Sequence, residues 1–537
     1  MRLTELARIL GGSLSSVRDD GPQITGVQLD SRRVGPGDLF SALAGTRDDG
    51  RRYVDEALRR GASAVLTADA QLAAGLPGVP AWLHPQARRA TGEAAHRVLG
   101  EPARRLFVAA VTGTNGKTTT AHLTAQLLAA GGQRSGVLGT AGNRLADGRL
   151  EPATHTTPDA TELARILARH VELGGQAIAM EASSHALDQE RLAGLKVQAA
   201  QFTNLTRDHL DYHGDMESYF RAKARLFESL EPGAFAILNA ADPALARLAT
   251  LAKERGAQVV RYRVTSNSAG SQGDLHASSL VTDDSGTRLV LHGMGISRCE
   301  VRVPLTGRFN IENALCASAC ALLSGASPAA IVAGLATVSP APGRLERVFD
   351  PRGGRLVYVD YAHTEDALAN VCRALRESLA NCAQQPLDTP FANPHKSTRS
   401  TPSDRASGTG TRGTDHAASG GRLIVVFGCG GDRDRGKRAP MGRVVNELAD
   451  IAVLTSDNPR SEDPQAIIAE VLAGMVPARA ERFVAVDRRD AIRQALACAR
   501  KGDIVLIAGK GHESTQTTGN TVMDFDDRKV AAELLAS

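Results

Sequence analysis

Long apolar segments are missing from this sequence: no uninterrupted run approaches the roughly 18 residues that a membrane-spanning helix needs. The first twelve residues, MRLTELARILGG, have the spacing of an amphipathic helix. They lack the basic region, the continuous apolar region and the small-residue cleavage site of a signal peptide. We therefore expect neither a membrane span nor a secretory leader, and we expect the chain to reside in the cytoplasm.

An excess of charge of one sign is also missing. The 63 basic and 59 acidic residues leave a formal net charge of only +4. Proteins that bind nucleic acids rely on clustered lysine and arginine to neutralise phosphates. This near balance gives no reason to expect a nucleic-acid partner.

Paired cysteine motifs are absent too, since none of the seven cysteines forms a CxxC pair. Cys316 and Cys320 are one helical turn apart in the apolar segment ENALCASACALL. We interpret them as reduced thiols in a hydrophobic core, and we regard a metal site as the weaker alternative.

What the chain does contain is enough sequence for several domains. At about 150 residues per domain, the 537 residues suggest three or four. From residue 106 onward, apolar strands alternate with helical stretches, which is typical of parallel α/β sheets. We predict an N-terminal mixed α/β domain over residues 1–105, a central P-loop ATPase-type domain with a parallel sheet over residues 106–340, and a C-terminal Rossmann-like domain over residues 341–537.

One segment of the third domain differs from its surroundings. Residues from about 384 to 421 are rich in Ser, Thr, Pro, Gly, Asp and Arg and contain almost no large apolar side chains. This composition predicts a disordered insertion, which we interpret as a tolerated surface loop rather than a regulatory element.

The strongest motif is VAAVTGTNGKTTTAHL at residues 108–123. An apolar strand leads into a glycine-bearing loop and then a helix, whose N-terminus would point at a phosphate group. Lys117 supplies a positive charge, and Thr118 supplies a hydroxyl suited to Mg²⁺. The motif predicts ATP binding, although Val111 stands where the general P-loop pattern has its first glycine.

The shortened GTNGKTT loop resembles that of the Mur ligase family, the ATP-dependent amide-forming enzymes of peptidoglycan precursor synthesis. Other segments share this resemblance in the same order and spacing, including LDSRRVGPGDLF (29–40), EASSHALDQERL (181–192), NLTRDHLDYHG (204–214), GRFNIENALCA (307–317) and VDYAHTEDAL (359–368). The resemblance covers nearly the whole chain. It implies small-molecule substrates, Mg²⁺ as cofactor and ATP as co-substrate, and we expect the chain to act as a monomer.

Amide formation from a carboxylate needs prior phosphorylation by ATP, so the site must neutralise phosphate charge and hold two anionic partners together. Taken alone, Glu181 is better explained as an acid at a helix N-terminus and His209 as a solvated loop residue. The resemblance implies that Thr118, Glu181 and His209 bind Mg²⁺. The ATP-binding residues that the loop and the resemblance together predict are Gly113, Thr114, Asn115, Gly116, Lys117, Thr118, Thr119, Asn313, Arg344 and Asp360.

Lys223 lies in the helical segment ESYFRAKARLFESL, where by itself it reads as one more solvated charge. The resemblance implies that it is carbamylated. A carbamate would reverse the sign of the charge and place an oxygen ligand beside Mg²⁺. Together with Lys117, Glu181 and His209, Lys223 completes the predicted catalytic set.

The resemblance also implies a binding site for a UDP-N-acetylmuramoyl-dipeptide. The residues matched to it are Leu29, Ser31, Thr46, Arg47, Asp48, Thr156, Thr157, Ser183, Gln189 and Arg191. Hydroxyl groups with an arginine suit a diphosphate. His155 stands where the family pattern has asparagine, so it is not included among these residues, and whether it contacts the substrate is left open.

The added amino acid is predicted to bind at strand-end loops of the third domain, one of which is TSDNPRSEDP at residues 455–464. Arg460 by itself could be a solvated charge on a turn. Family members that add meso-diaminopimelate resemble this chain at D-N-P-R, and a guanidinium can hold the distal carboxylate that lysine lacks. The residues predicted to bind diaminopimelate are Arg433, Asp457, Asn458, Pro459, Arg460, Gly509 and Glu513.

Two alternatives remain at this point. One is a related ligase with another acceptor, either a lysine-adding enzyme or a folylpolyglutamate synthetase-like protein. The other is a P-loop NTPase that works as a motor or a switch. The D-N-P-R sequence and the uridine-site match disfavour the first, and nucleotide turnover that depends on an amino acid would exclude the second.

Overall fold

The structure is a computed structural model that describes residues 1–15, 20–45, 48–265, 274–283, 285–383 and 421–537. The predicted insertion therefore lies outside the described residues, apart from Gly421. Within the described ranges, no helix is both long and apolar enough to cross a bilayer.

The chain divides into two compact units, one of Met1–Leu280 and Gly286–Arg344 and the other of Val281–Ser285 and Leu345–Ser537. The predicted first and second domains both lie mainly in the first unit. The boundaries between the three domains stay predictions.

The N-terminal part of the first unit holds a five-stranded sheet in the order β1-β5-β4-β3-β2. Its strands are β1 (Ser13–Ser15), β2 (Gly26–Gln28), β3 (Asp38–Ser41), β4 (Ala64–Thr67) and β5 (Ala81–Leu83), and its helices are α1 (Leu3–Leu10), α2 (Val54–Arg59), α3 (Ala70–Ala74) and α4 (Ala87–Val98). Only β1 runs antiparallel to its neighbour. The segment GVQLDSRRVGPGDLF forms the predicted strand, turn and strand.

The central part of the first unit is built on an eleven-stranded sheet in the order β16-β15-β14-β13-β12-β11-β6-β10-β7-β8-β9. Its strands are β6 (Phe107–Thr112), β7 (Ser135–Leu138), β8 (Asn143–Arg144), β9 (Leu150–Glu151), β10 (Ala177–Glu181), β11 (Ala199–Phe202), β12 (Phe235–Asn239), β13 (Gln258–Val264), β14 (Leu275–Asp283), β15 (Gly286–Gly293) and β16 (Ile296–Val303). Strands β7, β10, β6, β11, β12 and β13 are parallel, which confirms the predicted sheet type.

Helices pack against both faces of this sheet. They are α5 (Lys117–Ala130), α6 (Ala160–Glu172), α7 (Ser184–Asp188), α8 (Leu210–His213), α9 (Met216–Glu228), α10 (Leu245–Glu254), α11 (Arg308–Leu323) and α12 (Pro328–Leu335). Cys316 and Cys320 of α11 lie in the core on one face as free thiols, in agreement with the sequence prediction.

The second unit contains a six-stranded sheet in the order β17-β18-β22-β19-β20-β21, in which only the β17–β18 pair is antiparallel. Its elements are β17 (Glu346–Val348), β18 (Leu356–Asp360), α13 (Glu365–Ala383), β19 (Leu423–Phe427), α14 (Arg438–Leu448), β20 (Ile451–Leu454), α15 (Pro464–Ala473), β21 (Glu481–Val484), α16 (Arg488–Cys498), β22 (Ile504–Ala508), the hairpin β23 (Thr515–Thr518) and β24 (Thr521–Asp524), and α17 (Asp527–Ala536). Parallel strands end at one edge, so the loops after β19, β20 and β22 are brought together there.

Candidate functional site

The phosphate loop connects the end of β6 to the start of α5. Gly113 has a φ of 149° and Gly116 a φ of 84°, which are values that favour glycine. A Cβ atom on Gly116 would lie 2.5 Å from Oδ1 of Asn313, and one on Gly113 would lie 1.9 Å from Oγ1 of Thr203. The loop backbone can therefore pack this closely only where side chains are absent.

A second segment braces the loop from the adjacent strand end. Asn204 accepts a hydrogen bond from the Asn115 amide at its Oδ1 atom (2.9 Å) and from the Thr114 amide at its carbonyl oxygen (2.8 Å). Thr203 donates its hydroxyl to the Asn115 carbonyl (2.6 Å). Neither Thr203 nor Asn204 was predicted from the sequence, because only the neighbouring strand order brings them to the loop.

Lys117 and Thr118 stand at the start of α5, as predicted. The Lys117 ammonium donates to the carbonyl oxygens of Gly113 (3.0 Å) and Thr114 (2.8 Å), so its charge sits over the loop. Burial holds the pKa of Lys117 below its usual value. Thr119 follows inside the helix and is buried.

Two further predicted residues contact the Thr118 hydroxyl. It donates to Oε2 of Glu181 (3.1 Å), and Arg344 donates to it (3.1 Å). Glu181 ends β10 and is 1% exposed, and its Oε1 accepts from the Thr140 amide (2.7 Å). A hydroxyl oxygen and a carboxylate oxygen are thus adjacent at the mouth of the phosphate loop.

Lys223 lies inside the protein rather than on its surface. Its side chain on α9 is 1% exposed, and its Nζ atom donates to the Gly113 carbonyl (2.7 Å) and lies 4.2 Å from the centre of the Tyr219 ring. Burial, reinforced by the charge of Lys117, holds the pKa of Lys223 well below its usual value. The reading of Lys223 as a solvated charge is therefore wrong.

His209 caps the short helix α8 with a φ of 53°. Its Nε2 atom lies 3.4 Å from Oδ2 of Asp208, and its ring packs against His185 at 5.0 Å between centres. Partial burial lowers the pKa of His209, and Asp208 opposes that shift. Among the described residues, no group of three His, Cys, Asp or Glu side chains forms a metal site.

Five of the ten residues predicted for the nucleotide sugar line two cavities of the first unit. Leu29, Ser31 and Asp48 line one of about 490 Å³. Leu29 also lines the other, of about 200 Å³, together with Gln189 and Arg191. His155 lines the second cavity as well. Thr46 and Arg47 lie outside the described residues.

Arg88, which was not predicted, lines both cavities. It begins α4 and donates to the carbonyl oxygen of Ala44 (2.8 Å). Arg191 donates to the Thr157 carbonyl (2.8 Å) and to the Gln189 side chain, so both guanidinium groups contact neutral oxygen atoms. No ion pair within 4.0 Å is formed by either arginine among the described residues.

Three predicted hydroxyl residues connect this region to Glu181. Thr157 donates to the Glu181 carbonyl oxygen (2.8 Å) and accepts from the Ser183 amide (3.1 Å). Thr156 accepts from the Thr140 hydroxyl (3.0 Å). The sequence-predicted diphosphate and metal residues therefore form one continuous network.

In the second unit, the D-N-P-R segment follows β20. Arg460 has a φ of 51° and is held on both sides by the β23–β24 hairpin, with its amide donating to Thr517 (3.1 Å) and its carbonyl accepting from Gly519 (2.7 Å). Its guanidinium donates to the Gly431 carbonyl (2.6 Å). A Cβ on Gly430 would lie 3.1 Å from Nη1 of Arg460 and 3.9 Å from Cγ of Arg433, so both arginines flank that glycine.

The buried side chain of Lys510 lies among acidic residues of the same region as Arg433 and Arg460. Lys510 is fully buried, and its Nζ atom lies 3.3 Å from Oε2 of Glu513, 3.3 Å from Oδ1 of Asn458 and 3.7 Å from Oδ1 of Asp457. Asn458 also donates to Glu513 (2.9 Å). The sequence prediction included Asp457, Asn458 and Glu513 but not Lys510, although the lysine lies within AGKGHE.

The remaining predicted residues of this unit are at strand ends. Gly509 directly follows β22 with a φ of 120°, and Pro459 is buried within the turn. Both carboxylate oxygens of Asp360 accept backbone amides, from Leu345 and Ala362 (2.7 Å each), so its predicted contact with ribose stays a prediction.

Protein-family models match three stretches of this chain. Residues 23–102 match the model described as Mur ligase family, catalytic domain, residues 111–321 match Mur ligase middle domain, and residues 411–511 match Mur ligase, glutamate ligase domain. The chain belongs to the Mur ligase family. As a Mur ligase it is 42% identical over 537 residues to the UDP-N-acetylmuramoyl-L-alanyl-D-glutamate--2,6-diaminopimelate ligase of Gloeobacter violaceus, with 100% of this chain and 98% of that protein covered.

One further relative and two solved structures are also similar to this chain. The protein of the same name from Solibacter usitatus is 40% identical, with 98% of each chain covered. A solved structure of a ligase with that name superimposes with a TM-score of 0.68 at 33% identity, covering 100% of this chain and 99% of the other. A folylpolyglutamate synthase of Mycobacterium tuberculosis shares the fold alone, with a TM-score of 0.58 at 19% identity over 83% of this chain and 95% of its own.

Proposed function

We propose that this chain is an ATP-dependent ligase that joins meso-2,6-diaminopimelate to the D-glutamyl residue of UDP-N-acetylmuramoyl-L-alanyl-D-glutamate. The observation that carries the proposal is the arrangement at the D-N-P-R turn, where Arg460 and Arg433 flank Gly430 and the acids Asp457 and Glu513 gather around Lys510. Such a set suits a substrate that carries both carboxylates and ammonium groups. Full-length relatives that bear this enzyme name support the same assignment.

The first chemical step would transfer the γ-phosphoryl group of ATP to the D-glutamyl carboxylate, giving ADP and an acyl phosphate. The phosphate loop and the N-terminus of α5 would bind the phosphates through backbone amides. Lys117 already holds its charge at the loop and would neutralise the charge that develops during transfer. Arg344, which donates to the Thr118 hydroxyl, would bring a second positive charge to the same place.

The second step would be attack by a deprotonated amine of diaminopimelate on the acyl carbon. A carbon–nitrogen bond forms, phosphate leaves, and the amine gives up its remaining extra proton to solvent or phosphate. No protein nucleophile is required, so the residues act by binding and orienting the two substrates.

The donor set at the mouth of the loop fits Mg²⁺. The Thr118 hydroxyl and the Glu181 carboxylate are adjacent hard oxygen ligands, and Mg²⁺ usually takes few protein ligands and completes its shell with water and substrate phosphates. Thr118 and Glu181 would hold the ion, with His209 and a modified Lys223 as further ligands. The ion would supply charge neutralisation at the phosphates.

We also propose that Lys223 is carbamylated. Burial, reinforced by the charge of Lys117, holds the pKa of Lys223 well below its usual value and so favours the neutral amine, which can attack carbon dioxide, lose a proton and become an anionic carbamate. An anion at this position would remove the unfavourable proximity of two lysine charges beside the phosphate loop. It would also add an oxygen ligand near Glu181.

For the nucleotide sugar, we propose that the larger cavity takes the uridine and the smaller one the diphosphate. Among the described residues, the side chains of Arg88 and Arg191 donate to neutral oxygen atoms and form no ion pair within 4.0 Å, so an anionic ligand would give both charges a partner. Arg88 thereby joins the ten residues predicted from the sequence. The acids Asp159 and Glu190 also line the smaller cavity and would restrict the anion to the arginine side.

The preference for diaminopimelate over lysine would come from Arg460. Lysine ends in an ammonium group, which a guanidinium repels, whereas diaminopimelate adds a carboxylate that a guanidinium holds through two parallel hydrogen bonds. Glu513, Asn458 and the carbonyl of Gly509 would take the neighbouring ammonium group. We further propose three domains with boundaries at about residues 105 and 340, a monomeric state and a cytoplasmic location.

The deciding experiment measures phosphate release by the full-length protein with ATP, Mg²⁺ and the UDP-linked dipeptide. We expect release only when meso-diaminopimelate is added, and much less with L-lysine. Equal rates with lysine would indicate a lysine-adding ligase. Release that ignores both the dipeptide and the amino acid would overturn the ligase assignment in favour of an NTPase of another class.

A further inference from the structure

Two loops that carry the predicted substrate arginines are joined directly to each other. They are the loop of residues 428–438, after β19, and the turn of residues 455–463, after β20. The Gly431 amide donates to the Asn458 carbonyl (2.9 Å), and Arg460 donates back to the Gly431 carbonyl (2.6 Å). Ser461 donates its amide (3.1 Å) and its hydroxyl (2.6 Å) to the carboxylate of Asp432.

Glu462 is the centre of a second and denser set of contacts between the same loops. Its Oε1 atom accepts from the Asp432 amide (2.6 Å) and from Arg438 (2.8 Å). Its Oε2 atom accepts from Arg435 (2.8 Å) and from Arg438 (3.0 Å). One carboxylate of the 455–463 turn therefore holds three donors of the 428–438 loop.

Arg438 extends this contact to the glycine beneath the two substrate arginines. Its side chain is 1% exposed, and it donates to the Gly430 carbonyl (3.4 Å) as well as to Glu462 and Glu470. Gly430 is the residue that Arg433 and Arg460 flank. A chain of direct contacts thus runs from Glu462 through Arg438 to Gly430, which lies between the two arginines.

We propose that Glu462, acting through Arg438, is a positioning residue that holds Arg433 and Arg460 at the spacing required by the carboxylates of the incoming amino acid. This inference rests on the proposed function, since it concerns the site proposed for diaminopimelate. Glu462 itself would not touch the substrate, because its four acceptor contacts are already made within the protein. A bidentate grip on a carboxylate tolerates little displacement of the guanidinium, so the loop contacts should determine amino-acid affinity.

The side chain of Glu462 keeps its negative charge at neutral pH. Hydrogen bonds from Arg438 and then from the Asp432 amide lower the pKa of Glu462 to about 2. The carboxylate therefore stays ionised throughout the pH range in which the enzyme would be assayed. Replacing it with a neutral amide leaves the shape almost unchanged and removes both the charge and one set of acceptors.

The test uses the full-length protein and the substitution Glu462→Gln. We expect the KM for diaminopimelate to rise at least about tenfold, because a buried arginine loses its charged partner and the loops shift. The KM values for ATP and for the UDP-linked dipeptide should stay within about twofold, since neither phosphate loop nor nucleotide-sugar cavity is contacted. The preference for diaminopimelate over L-lysine should fall along with the affinity.

Glu470→Gln is the matched control. Glu470 pairs with the same Arg438 (3.0 Å), but it lies on α15, outside both loops, and its side chain is 42% exposed. We expect its KM for diaminopimelate to change by less than about threefold, because solvent screens the exposed Glu470 carboxylate and Glu462 still pairs with Arg438. Glu462→Asp, which keeps the charge but shortens the reach, should give an intermediate value.

A purely structural role for Glu462 predicts a different pattern, with a lower melting temperature and all three KM values rising together. That pattern, or an unchanged KM for diaminopimelate, would overturn the proposal. If Glu462→Gln fails to fold, Ser461→Ala provides a second test, because it removes the exposed hydroxyl contact to Asp432. We expect this variant to raise the KM for diaminopimelate about threefold. An unchanged KM in Ser461→Ala would also contradict the proposal. Wild-type activity that does not need diaminopimelate would instead refute the proposed function.

Discussion

The Nζ atom of Lys223 lies 2.7 Å from the carbonyl oxygen of Gly113, and the side chain that carries it is almost completely buried. This contact joins helix α9 to the phosphate loop. It also places a second amine beside Lys117, which already lies over the same carbonyl. Two amines converging on one oxygen atom would repel each other if both were protonated, so one of them is expected to be neutral or chemically modified.

Replacing Lys223 tests that modification. We expect Lys223→Met to lower diaminopimelate-dependent phosphate release at least about a hundredfold, because the predicted anionic oxygen ligand is lost. The exposed Lys253 of α10 provides the control, and Lys253→Met should leave the rate unchanged. A carbamate carbon signal from wild-type protein in ¹³C-labelled bicarbonate, absent from the Lys223 variant, would identify the group; active protein without that signal would exclude it.

Arg460→Ala should raise the KM for diaminopimelate at least about thirtyfold, since it removes the proposed hydrogen-bonded partner of a substrate carboxylate. The KM for the UDP-linked dipeptide should not change. The control is Arg443→Ala, which removes an arginine whose ion pair with Glu365 is exposed on both sides. Kinetics for diaminopimelate that match wild type in the Arg460 variant would refute its assigned role.

The two neighbouring arginines of α4 offer a sharp comparison for the diphosphate site. Arg88→Met should weaken binding of UDP, measured by calorimetry, about tenfold or more, because Arg88 would lose its contact with a phosphate. Arg89 pairs with Glu93 on the exposed face, so Arg89→Met should bind UDP like wild type. If the two variants bind UDP equally well, Arg88 does not contact the diphosphate.

Because of His96, the free energy of unfolding of the N-terminal domain should decrease at acidic pH. His96 is 2% exposed, and neither ring nitrogen has a hydrogen-bond partner among the described residues. Burial lowers the pKa of His96 from 6.5 to about 4. The unfolded chain therefore takes up a proton as the pH falls from 6.5 toward 4 while the folded chain does not, and the free energy of unfolding should fall by up to about 3 kcal/mol.

The measurement can follow fluorescence of Trp82, the single tryptophan, which lies in the core of that domain. Urea unfolding at several pH values should show that the free energy of unfolding falls with pH in the wild type and depends less on pH in His96→Met. An equally steep dependence in both proteins would assign the acid sensitivity to other groups.

Much of this fold could be predicted from local sequence. The apolar segments before GTNGKTT, TSDNPR and AGKGHE form β6, β20 and β22, and the functional loops follow them as expected for parallel sheets. Runs of apolar residues bounded by glycine or proline carry that information within a few positions. The predicted α/β class is confirmed, and so is the helical nature of the segment that contains Lys223.

Long-range contacts could not be predicted in this way. Asn204 reaches the phosphate loop from about 90 residues away in sequence, and Glu462 meets Arg438 only because β19 and β20 are neighbours in the sheet. Local patterns also misjudge burial: the charged helix around Lys223 suggested solvent exposure, yet that lysine faces the core. Such positions depend on strand order and packing, which a single sequence does not encode in local spacing.

The contacts between the 428–438 loop and the 455–463 turn have a consequence for redesign. A short specificity motif is often assumed to confer the same substrate preference when it is moved between relatives. Here Arg460 depends on Gly431 and on the β23–β24 hairpin for its position, and Arg433 depends on residues that Glu462 holds. Grafting D-N-P-R alone into a lysine-adding ligase should therefore transfer little selectivity, whereas grafting both loops together with their hairpin should transfer most of it.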